Sequence, residues 1–381
     1  MKFLHISDLH LGKRVHEFSM LEDQKYILRQ ILNIVTKEQP DGLLIAGDVY
    51  DKSVPPAEAV RVLDEFLTEL AERNVPVFLV SGNHDSAERL AFGAQLMSSK
   101  GVYMSPIYDG NPVCVRLKDS YGEVCVHLLP FLRPALVRSV FGEEAGSTCQ
   151  ETGKTAIGHM QVDTCLRNVL VAHQFVTGAS RCESEEVMVG GLDQMDAALF
   201  DDFDYVALGH IHSPQYVSRE TIRYCGTPLK YSFSEAEQDK SVTVVELKEK
   251  GTVEIRTIPL QPLRDLRKIR GTYLEVTSRD FYKDSNTEDY LQITLTDEED
   301  IPDGMQKLRI IYPNLMQLQY DNKRTRESRL PEEIGRVEHK SELELFMDFY
   351  EWQNNQPMSE EQTELAKAII ERIKEHREES V

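Results

Sequence analysis

Short apolar runs alternate with longer segments of helical periodicity over the first hundred residues. The apolar runs have the length of buried strands and lie at residues 3–7, 43–46 and 75–80. Segments that repeat apolar side chains at the spacing of one helix face lie at residues 19–39, 56–73 and 86–99, the last with Ser86 as N-cap. This alternation predicts a parallel or mixed sheet with helices on its faces.

The middle of the chain is richer in strand-like runs. They lie at residues 113–117, 124–129, 169–172, 205–208, 223–225, 242–247 and 252–258. Two β-rich layers flanked by helices predict a four-layer αββα sandwich over residues 1–262. Residues 148–155 resemble a phosphate-binding loop, but Thr148 stands where the first glycine is needed and no strand precedes it, so we do not predict a nucleotide site.

Two prolines, Pro259 and Pro262, mark a boundary. Strand-like runs at residues 272–277, 290–296 and 308–312 then predict a small α+β domain over 265–330. Residues 321–337 are polar and carry basic side chains, as expected of a solvated linker or of a tether that touches a phosphate backbone.

The C-terminal part, residues 331–381, begins within this polar segment and continues into two predicted helices. Apolar side chains crowd residues 341–353, and Ser359 with Gln362 forms a capping-box pattern before a second amphipathic segment. The two helices either fold back on the body of the protein or dock on a helix of a partner.

The 381-residue chain has a net charge of −21 and a pI near 5.0. The surface as a whole is therefore not built to attract nucleic acid, and contact with phosphates requires a local basic patch or a bound cation. The six cysteines are scattered without a CxxC pair, and no segment has the pattern of a signal peptide or the length of a transmembrane helix. We expect reduced thiols in a cytoplasmic protein that makes no membrane contact.

Side chains that bind hard metal ions follow five of the predicted strands. They are Asp8, His10, Asp48, Asn83, His173, His210 and His212. Open α/β sheets place their sites at the carboxyl ends of strands. Residues two apart in extended chain point to the same side, so each of the pairs Asp8–His10 and His210–His212 can face one cluster.

Seven ligands are too many for one catalytic ion, which must keep open positions. They suit two ions that share a bridging carboxylate, which we assign to Asp48. Mixed oxygen and nitrogen ligands favour Mn²⁺, Fe²⁺ or Zn²⁺ over an all-oxygen Mg²⁺ or Ca²⁺ site. Two ions about 3.5–4 Å apart stabilise the attacking and leaving oxygens of a phosphoryl displacement.

His84, the third residue of the segment Gly-Asn-His-Asp, is adjacent to a predicted ligand. As an imidazolium it could protonate a leaving oxygen or stabilise the charge of the transition state. The alternative is a hydrogen bond that only holds Asn83. We expect Asp51 and Asp85 to accept hydrogen bonds from histidine N–H groups.

The motifs that carry these residues, taken in their order along the chain, resemble those of the calcineurin-like metallophosphoesterase superfamily. The similarity is greatest to a bacterial DNA-repair nuclease branch, the SbcD family, in LHISDLHLG (4–12), GDVYD (47–51), SGNHD (81–85), ALGHIHSPQ (207–215) and CGTPLKYSFSE (225–235). The resemblance covers essentially the whole chain, and its motifs are most specific before residue 235.

The resemblance implies two Mn²⁺ ions, with Mg²⁺, Fe²⁺ or Zn²⁺ as alternatives. One ion would be held by Asp8, His10, Asp48 and His212, and the other by Asp48, Asn83, His173 and His210. His84 would be the catalytic histidine.

The same resemblance implies a DNA-capping domain at residues 265–330 and C-terminal helices that bind an SbcC-like, SMC-type ATPase. A homodimer of the nuclease would form a heterotetramer with that ATPase and process DNA double-strand breaks and hairpins with ATP. The expected reactions are exonuclease action on duplex ends and endonuclease action on single strands or hairpins.

Two other functions use the same residues. A small-molecule phosphodiesterase, for example one acting on cyclic nucleotides, would share the seven ligands but has no need of the domain at 265–330 or of the apolar C-terminal helices. A metal-bound scaffold without turnover would have no use for His84. The helices predicted at 56–73 and 86–99 could form a dimer face.

Overall fold

The structure is a computed structural model that describes residues 1–185, 194–323, 325, 342–354 and 357–378. The chain divides into two compact units, Met1–Leu266 and Arg267–Val381. Among the described residues, none of the helices combines the length and apolar character needed to cross a membrane.

The strands are, in chain order, β1 (Lys2–Ile6), β2 (Arg14–Val15), β3 (Phe18–Ser19), β4 (Gly42–Ala46), β5 (Val77–Val80), β6 (Val102–Met104), β7 (Val113–Asp119), β8 (Gly122–Leu129), β9 (Arg167–His173), β10 (Phe175–Val176), β11 (Gln194–Met195), β12 (Tyr205–Gly209), β13 (Gln215–Val217), β14 (Arg219–Tyr224), β15 (Ser241–Leu247), β16 (Val253–Pro259), β17 (Leu266–Gly271), β18 (Tyr290–Leu295) and β19 (Leu315–Tyr320). The described α-helices are α1 (Leu21–Glu38), α2 (Ala57–Glu72), α3 (Ala87–Leu90), α4 (Ala94–Ser98), α5 (Pro134–Phe141), α6 (Cys149–Gly158), α7 (Tyr273–Val276), α8 (Arg279–Tyr282), α9 (Gly304–Arg309), α10 (Glu342–Asn354) and α11 (Glu360–Glu378). Short 3₁₀ turns lie at Gly142–Ala145, Ala197–Phe200 and Phe233–Glu235.

Two six-stranded mixed sheets form the first unit. Their strand orders are β16-β15-β1-β4-β5-β6 and β13-β14-β12-β9-β8-β7. Strands β1, β4, β5 and β6 run parallel in the first sheet, and β8, β9, β12 and β14 run parallel in the second. The carboxyl ends of these central strands therefore lie along one edge of each sheet.

The two sheets pack face to face over a buried apolar cluster. Leu44 and Phe78 of the first sheet belong to it together with Val126 and Val169 of the second. Alternate residues of the second sheet, such as Leu170, pack instead with α5 and α6 in a separate core. Helices α1 and α2 connect parallel strands of the first sheet and bury apolar stripes, as expected of crossover helices that cover the remaining face of a sheet. The predicted four-layer sandwich is confirmed.

The prediction of one helix at residues 86–99 is wrong. Gly93 has a φ of +75° and separates α3 from α4. Ser86 caps α3, since its side chain accepts a hydrogen bond from the backbone N–H of Arg89. Thr148 caps α6 through a capping box with Glu151, so residues 148–155 begin a helix rather than a phosphate-binding loop.

The second unit contains a three-stranded sheet, β17-β18-β19, that packs its apolar face against α7 and α9. Strand β18 was predicted. The strands predicted at 272–277 and 308–312 are wrong, because these residues form α7 and the end of α9 with its following turn. Short apolar runs do not separate strands from helices. The capping box of Thr272 and Glu275 was the sequence signal for a helix.

The predicted C-terminal helices are present as α10 and α11. Ser359 and Gln362 exchange the hydrogen bonds of a capping box at the start of α11, as predicted. Most of the polar segment at 321–337 lies outside the described residues. The predicted limits of 262, 265 and 330 stay predictions beside the structural division after Leu266.

We predict that Asp119→Asn lowers the free energy of unfolding at pH 7 by about 1–2 kcal/mol, because it weakens a charged hydrogen bond of the buried Arg167. Both terminal nitrogens of the Arg167 guanidinium donate to the Asp119 carboxylate, Nη1 to Oδ2 at 3.2 Å and Nη2 to Oδ1. These hydrogen bonds hold the pKa of Asp119 well below its ordinary value. A lowered pKa stabilises the fold above the unfolded pKa of about 3.9. The stabilisation is lost as the pH falls through the folded pKa.

Urea unfolding at pH 7 and at successively lower pH tests this. The difference between the wild type and the variant should shrink below about pH 4. The exposed Asp202→Asn serves as the control. A difference that stays constant with pH would contradict the assignment.

Candidate metal centre

The structure brings all eight predicted site residues together at the carboxyl ends of five strands. Strands β1, β4 and β5 of the first sheet and β9 and β12 of the second deliver them. The members are Asp8, His10, Asp48, Asn83, His84, His173, His210 and His212. All are buried except Asn83 and His84, which are intermediate.

Four of these residues have an unusual backbone. Asp8, His10, Asp48 and His210 have φ values of 52°, 43°, 45° and 99°, in a region that residues other than glycine seldom adopt. Hydrogen bonds between the loops hold this conformation, because Asp8 N donates to Gly47 O at 3.0 Å and His10 N donates to Asp48 O at 2.9 Å. Backbone strain that is held in this way is concentrated at functional sites.

Asp48 lies at the centre of the cluster. Its Oδ2 atom is 3.3 Å from His173 Nε2, 3.7 Å from His10 Nε2 and 3.9 Å from His84 Nε2. Its Oδ1 atom accepts a hydrogen bond from the backbone N–H of His84 at 3.0 Å. One carboxylate oxygen therefore faces three imidazole rings.

The second sheet contributes two histidines that meet at Asn83. Oδ1 of Asn83 lies 3.0 Å from His173 Nε2 and 3.0 Å from His210 Nδ1. His173 Nδ1 lies 2.8 Å from Ala46 O. Because a carbonyl oxygen only accepts, this nitrogen carries a proton. His173 therefore presents Nε2 to the cluster.

His10 and His212 face each other with their Nε2 atoms 3.1 Å apart. Nδ1 of His212 is 2.7 Å from Ser184 Oγ, and that hydroxyl donates to Glu235 Oε1 at 2.7 Å. Ser184 Oγ therefore accepts a hydrogen bond from His212 Nδ1–H, which leaves a lone pair on His212 Nε2 in the neutral ring. Two imidazole nitrogens at this separation need a proton or a cation between them.

The electrostatics of the cluster combine two buried carboxylates with one cationic ring. Burial raises the pKa of Asp8 to about 7. Burial opposes the charge of Asp48 too, but His173 and the other rings hold its pKa well below the ordinary value. For His173, burial lowers the pKa, but Asp48 and Asp8 outweigh it and raise the value to about 9.

The other three predicted histidine ligands are neutral. Burial lowers the pKa of His210 to about 3 and holds the pKa values of His10 and His212 well below the ordinary range. Metal ions bind the neutral form of imidazole. The lone pairs of these three rings are therefore available near neutral pH, whereas an ion at His173 Nε2 would displace a proton from that ring.

This donor set fits divalent metal ions. Donor atoms of Asp8, His10 and His212 lie within 4.8 Å of one another, as do those of Asp8, Asp48 and His173 and those of His10, Asp48 and His84. The two buried carboxylates require compensating positive charge. The donors are oxygen and nitrogen without sulfur, which suits the harder divalent ions.

The two predicted supporting carboxylates, Asp51 and Asp85, differ in outcome. The prediction for Asp85 is wrong, because it accepts from the backbone N–H groups of Val49, Tyr50 and Gly82 at 2.9–3.1 Å. It joins the loops after β4 and β5. Asp51 does face histidine rings, since its Oδ1 lies 3.6 Å from His10 Nδ1, beyond hydrogen-bond distance, and its backbone carbonyl oxygen lies 3.0 Å from His84 Nδ1.

Sequence reasoning gave no role to the residues behind His212. Lys240 Nζ donates to Glu235 Oε2 at 2.6 Å and to His212 O at 2.9 Å, and Glu185 Oε1 accepts from His212 N at 2.7 Å. Glu235 is the last residue of the motif at 225–235. No local pattern marks Ser184 or Glu185, since their partners at this site, His212 and Glu235, are 27 to 51 residues away.

A cavity of about 1000 Å³ borders the cluster. Asn83 and His84 line it, together with Lys52, Phe131 and Arg133. The side chain of His84 is 17% exposed, more than the 3% of Asp48 beside it. A substrate in this cavity would therefore meet His84 and two basic side chains.

Comparisons with known proteins show which families the chain is similar to. A family model described as calcineurin-like phosphoesterase matches residues 1–214, and one described as type 5 capsule protein repressor C-terminal domain matches residues 262–354. A relative from Staphylococcus epidermidis, named as the SbcD subunit of nuclease SbcCD, is 33% identical over 379 residues, covering 97% of this chain and 98% of its own.

A relative of the same name from Staphylococcus saprophyticus is 35% identical over 324 residues, covering 84% of each chain. Among solved structures, a dimetal phosphatase from Danio rerio is 12% identical with a TM-score of 0.39, and covers 68% of this chain and 99% of its own. A TM-score of 0.39 indicates only a distant similarity.

We predict that Gly209→Ala lowers the free energy of unfolding by about 1–3 kcal/mol, the usual cost of overpacking. An added Cβ at Gly209 would lie 1.8 Å from Ala46 O and 2.8 Å from His173 Nδ1, so the two sheets would have to separate at the site. Urea unfolding measures the effect. Gly158→Ala is the control, because nothing lies within 4 Å of its Cβ position. Equal stabilities of the two variants would contradict the close approach.

Proposed function

The chain belongs to the calcineurin-like phosphoesterase family and to the SbcD-type nucleases within it, and we propose that it is the Mn²⁺-dependent nuclease subunit of a DNA-processing complex. Family membership makes it a metal-dependent phosphodiester hydrolase. The observation that carries the proposal is the convergence of metal-ligating side chains from both sheets on Asp48, beside a cavity lined by His84.

We assign the ligands in two sets that share Asp48. One set is Asp8, His10, Asp48 and His212, and the other is Asp48, Asn83, His173 and His210. The distances around Asp48, Asn83 and the pair His10–His212 support this division. When bound, two divalent ions activate water and neutralise the charge of a reacting phosphate. The mixed nitrogen and oxygen donors favour Mn²⁺.

His84 is assigned to proton transfer. Its Nδ1 lies 3.0 Å from the carbonyl oxygen of Asp51 and must therefore donate. That contact orients the ring so that Nε2 lies on the side of Asp48 Oδ2, at 3.9 Å. A proton held at Nε2 can be given to a leaving alkoxide on a substrate in the adjoining cavity.

Ser184, Glu235 and Lys240 position His212. Glu235 is fully buried and is paired with Lys240, so it remains a hydrogen-bond acceptor for Ser184. Ser184 in turn fixes the tautomer and rotation of the His212 ring. Partners of this kind contribute about 10–100-fold to metal affinity.

DNA is the proposed substrate, despite the acidic chain. Lys52 and Arg133 provide local positive charge in the cavity beside His84. Arg133 is held in place there, since it donates to Asn83 O at 3.4 Å and lies 6.0 Å from the ring centre of Phe131. Local positive charge at this position can bind the phosphates on either side of a scissile bond.

An SbcC-type ATPase is the proposed partner. Helices α10 and α11 are joined by a hydrogen bond of 2.9 Å from Gln362 to Tyr350. Two of their apolar residues are exposed, Phe346 to 44% and Leu365 to 62%. An apolar face of this kind suits docking on a partner helix. With that ATPase and ATP, a dimer of the chain would process DNA ends and hairpins.

We predict that His84→Gln lowers Mn²⁺-dependent cleavage of end-labelled duplex and hairpin DNA by about 10²–10⁴-fold, the range of one general acid. The variant should still bind Mn²⁺ in equilibrium dialysis, since His84 belongs to neither ligand set. His159→Gln, at an exposed histidine on the end of α6, is the matched control and should cleave normally.

Turnover that survives in His84→Gln would remove the proton-transfer role. DNA that stays intact even with the ATPase partner and ATP would remove the nuclease assignment. Turnover of a cyclic nucleotide in the same samples would then identify a small-molecule phosphodiesterase.

A further inference from the structure

A second cluster of metal-ligating side chains lies at the edge of the second sheet. Cys114 is on the edge strand β7, and Cys125 and His127 are on its neighbour β8. Cys114 pairs directly with His127 in the antiparallel register, and Cys125 is two residues before His127 on the same face. The two sulfur atoms and a ring nitrogen of His127 lie within 4.8 Å of one another.

The surroundings of His127 determine which nitrogen can bind a cation. Its Nε2 lies 3.0 Å from Asn168 Oδ1. The orientation of the Asn168 amide is fixed, because Nδ2 donates to the carbonyl oxygens of Asp163 and Leu166 at 2.9 and 3.0 Å. The atom that faces His127 is therefore an acceptor, so Nε2 carries the proton and Nδ1 keeps its lone pair.

The ring is also held in place and kept neutral. His127 is 4% exposed, and it packs edge-on against Phe203 with the ring centres 5.6 Å apart. Burial lowers its pKa, although the hydrogen bond to Asn168 opposes the shift. A buried neutral imidazole whose second nitrogen is fixed by an amide oxygen has the usual arrangement of a metal-binding histidine.

We propose that Cys114, Cys125 and His127 bind a thiophilic divalent cation of the Zn²⁺ class, at a site separate from the cluster around Asp48. Metal–sulfur and metal–nitrogen bonds of about 2.3 and 2.0 Å in a tetrahedron place donor atoms about 3.5–3.8 Å apart. The donor atoms lie within 4.8 Å of one another, so a shift of about 1 Å or less brings them to this separation, and rotation of the exposed Cys114 side chain can bring its sulfur closer to the other two donors.

Sulfur ligands distinguish this site from the first cluster. Thiolates select Zn²⁺ and related soft ions, whereas the carboxylate-rich cluster selects harder ones. Each thiol loses its proton to solvent as its sulfur binds the cation. Burial and the neighbouring Cys125 raise the pKa of Cys114 to about 11, so it keeps its proton until a cation displaces it.

Three protein ligands leave a fourth position for water on the exposed side of Cys114. The bound cation would link the edge strand β7 to its neighbour β8 through side chains of both strands. Tying an edge strand restricts its unfolding and its pairing with other chains. We therefore assign the site a structural role.

Cobalt titration of the full-length chain tests this site independently of the nuclease proposal. The protein is stripped with a chelator, kept reduced with a phosphine, and titrated with Co²⁺ alone. Thiolate ligands give a sulfur-to-cobalt charge-transfer band in the near ultraviolet, whereas a site of nitrogen and oxygen ligands gives none. We expect the final intensity of the band to correspond to one thiolate-bound Co²⁺ per chain, whatever further Co²⁺ the cluster around Asp48 binds, and the band to disappear when excess Zn²⁺ is added.

Cys114→Ser should abolish the band, and Cys165→Ser, at another exposed cysteine, should leave it unchanged. Circular dichroism checks that both variants are folded, and Cys114 is exposed, so its loss should not disturb the core. No band in the wild type, or a band that survives in Cys114→Ser, would overturn the proposal.

Discussion

Two carboxylates, Asp8 and Asp48, are buried together where the two sheets meet, and the site depends on how their charge is balanced. Burial opposes ionisation of both groups, and Asp48 remains charged only because imidazole rings surround it. His173 supplies part of the compensation and has its pKa raised as a result. A cluster with this balance attracts further positive charge, which divalent cations provide.

The close approach of the two sheets makes this arrangement possible. A side chain at Gly47 would meet the His173 ring, and one at Gly82 would meet Asp48. At Gly47 the backbone itself has a φ of +84°, which glycine adopts without strain. Small residues at the strand ends therefore bring ligands from β4, β5, β9 and β12 into a single cluster. The hydrogen bonds of Asp85 then fix the loops relative to each other.

Much of the site could be predicted because its residues follow strands, and parallel strands end along one edge. The pattern located Asp8, Asp48 and His173 without any knowledge of distance. It could not locate Ser184 or Lys240, each of which forms a hydrogen bond with His212 from 28 residues away in the sequence. Local periodicity also failed at residues 272–277, where a capping box outweighed strand propensity, and at Gly93, where one positive φ divided a helix.

Whether Asp48 joins two ligand sets can be measured by electron paramagnetic resonance of the Mn²⁺-loaded chain combined with metal analysis. Two ions that share a bridging carboxylate are about 3.5–4 Å apart and couple magnetically. We expect two Mn²⁺ per chain and the spectrum of an exchange-coupled pair. One Mn²⁺ per chain with the six-line spectrum of an isolated ion would contradict it.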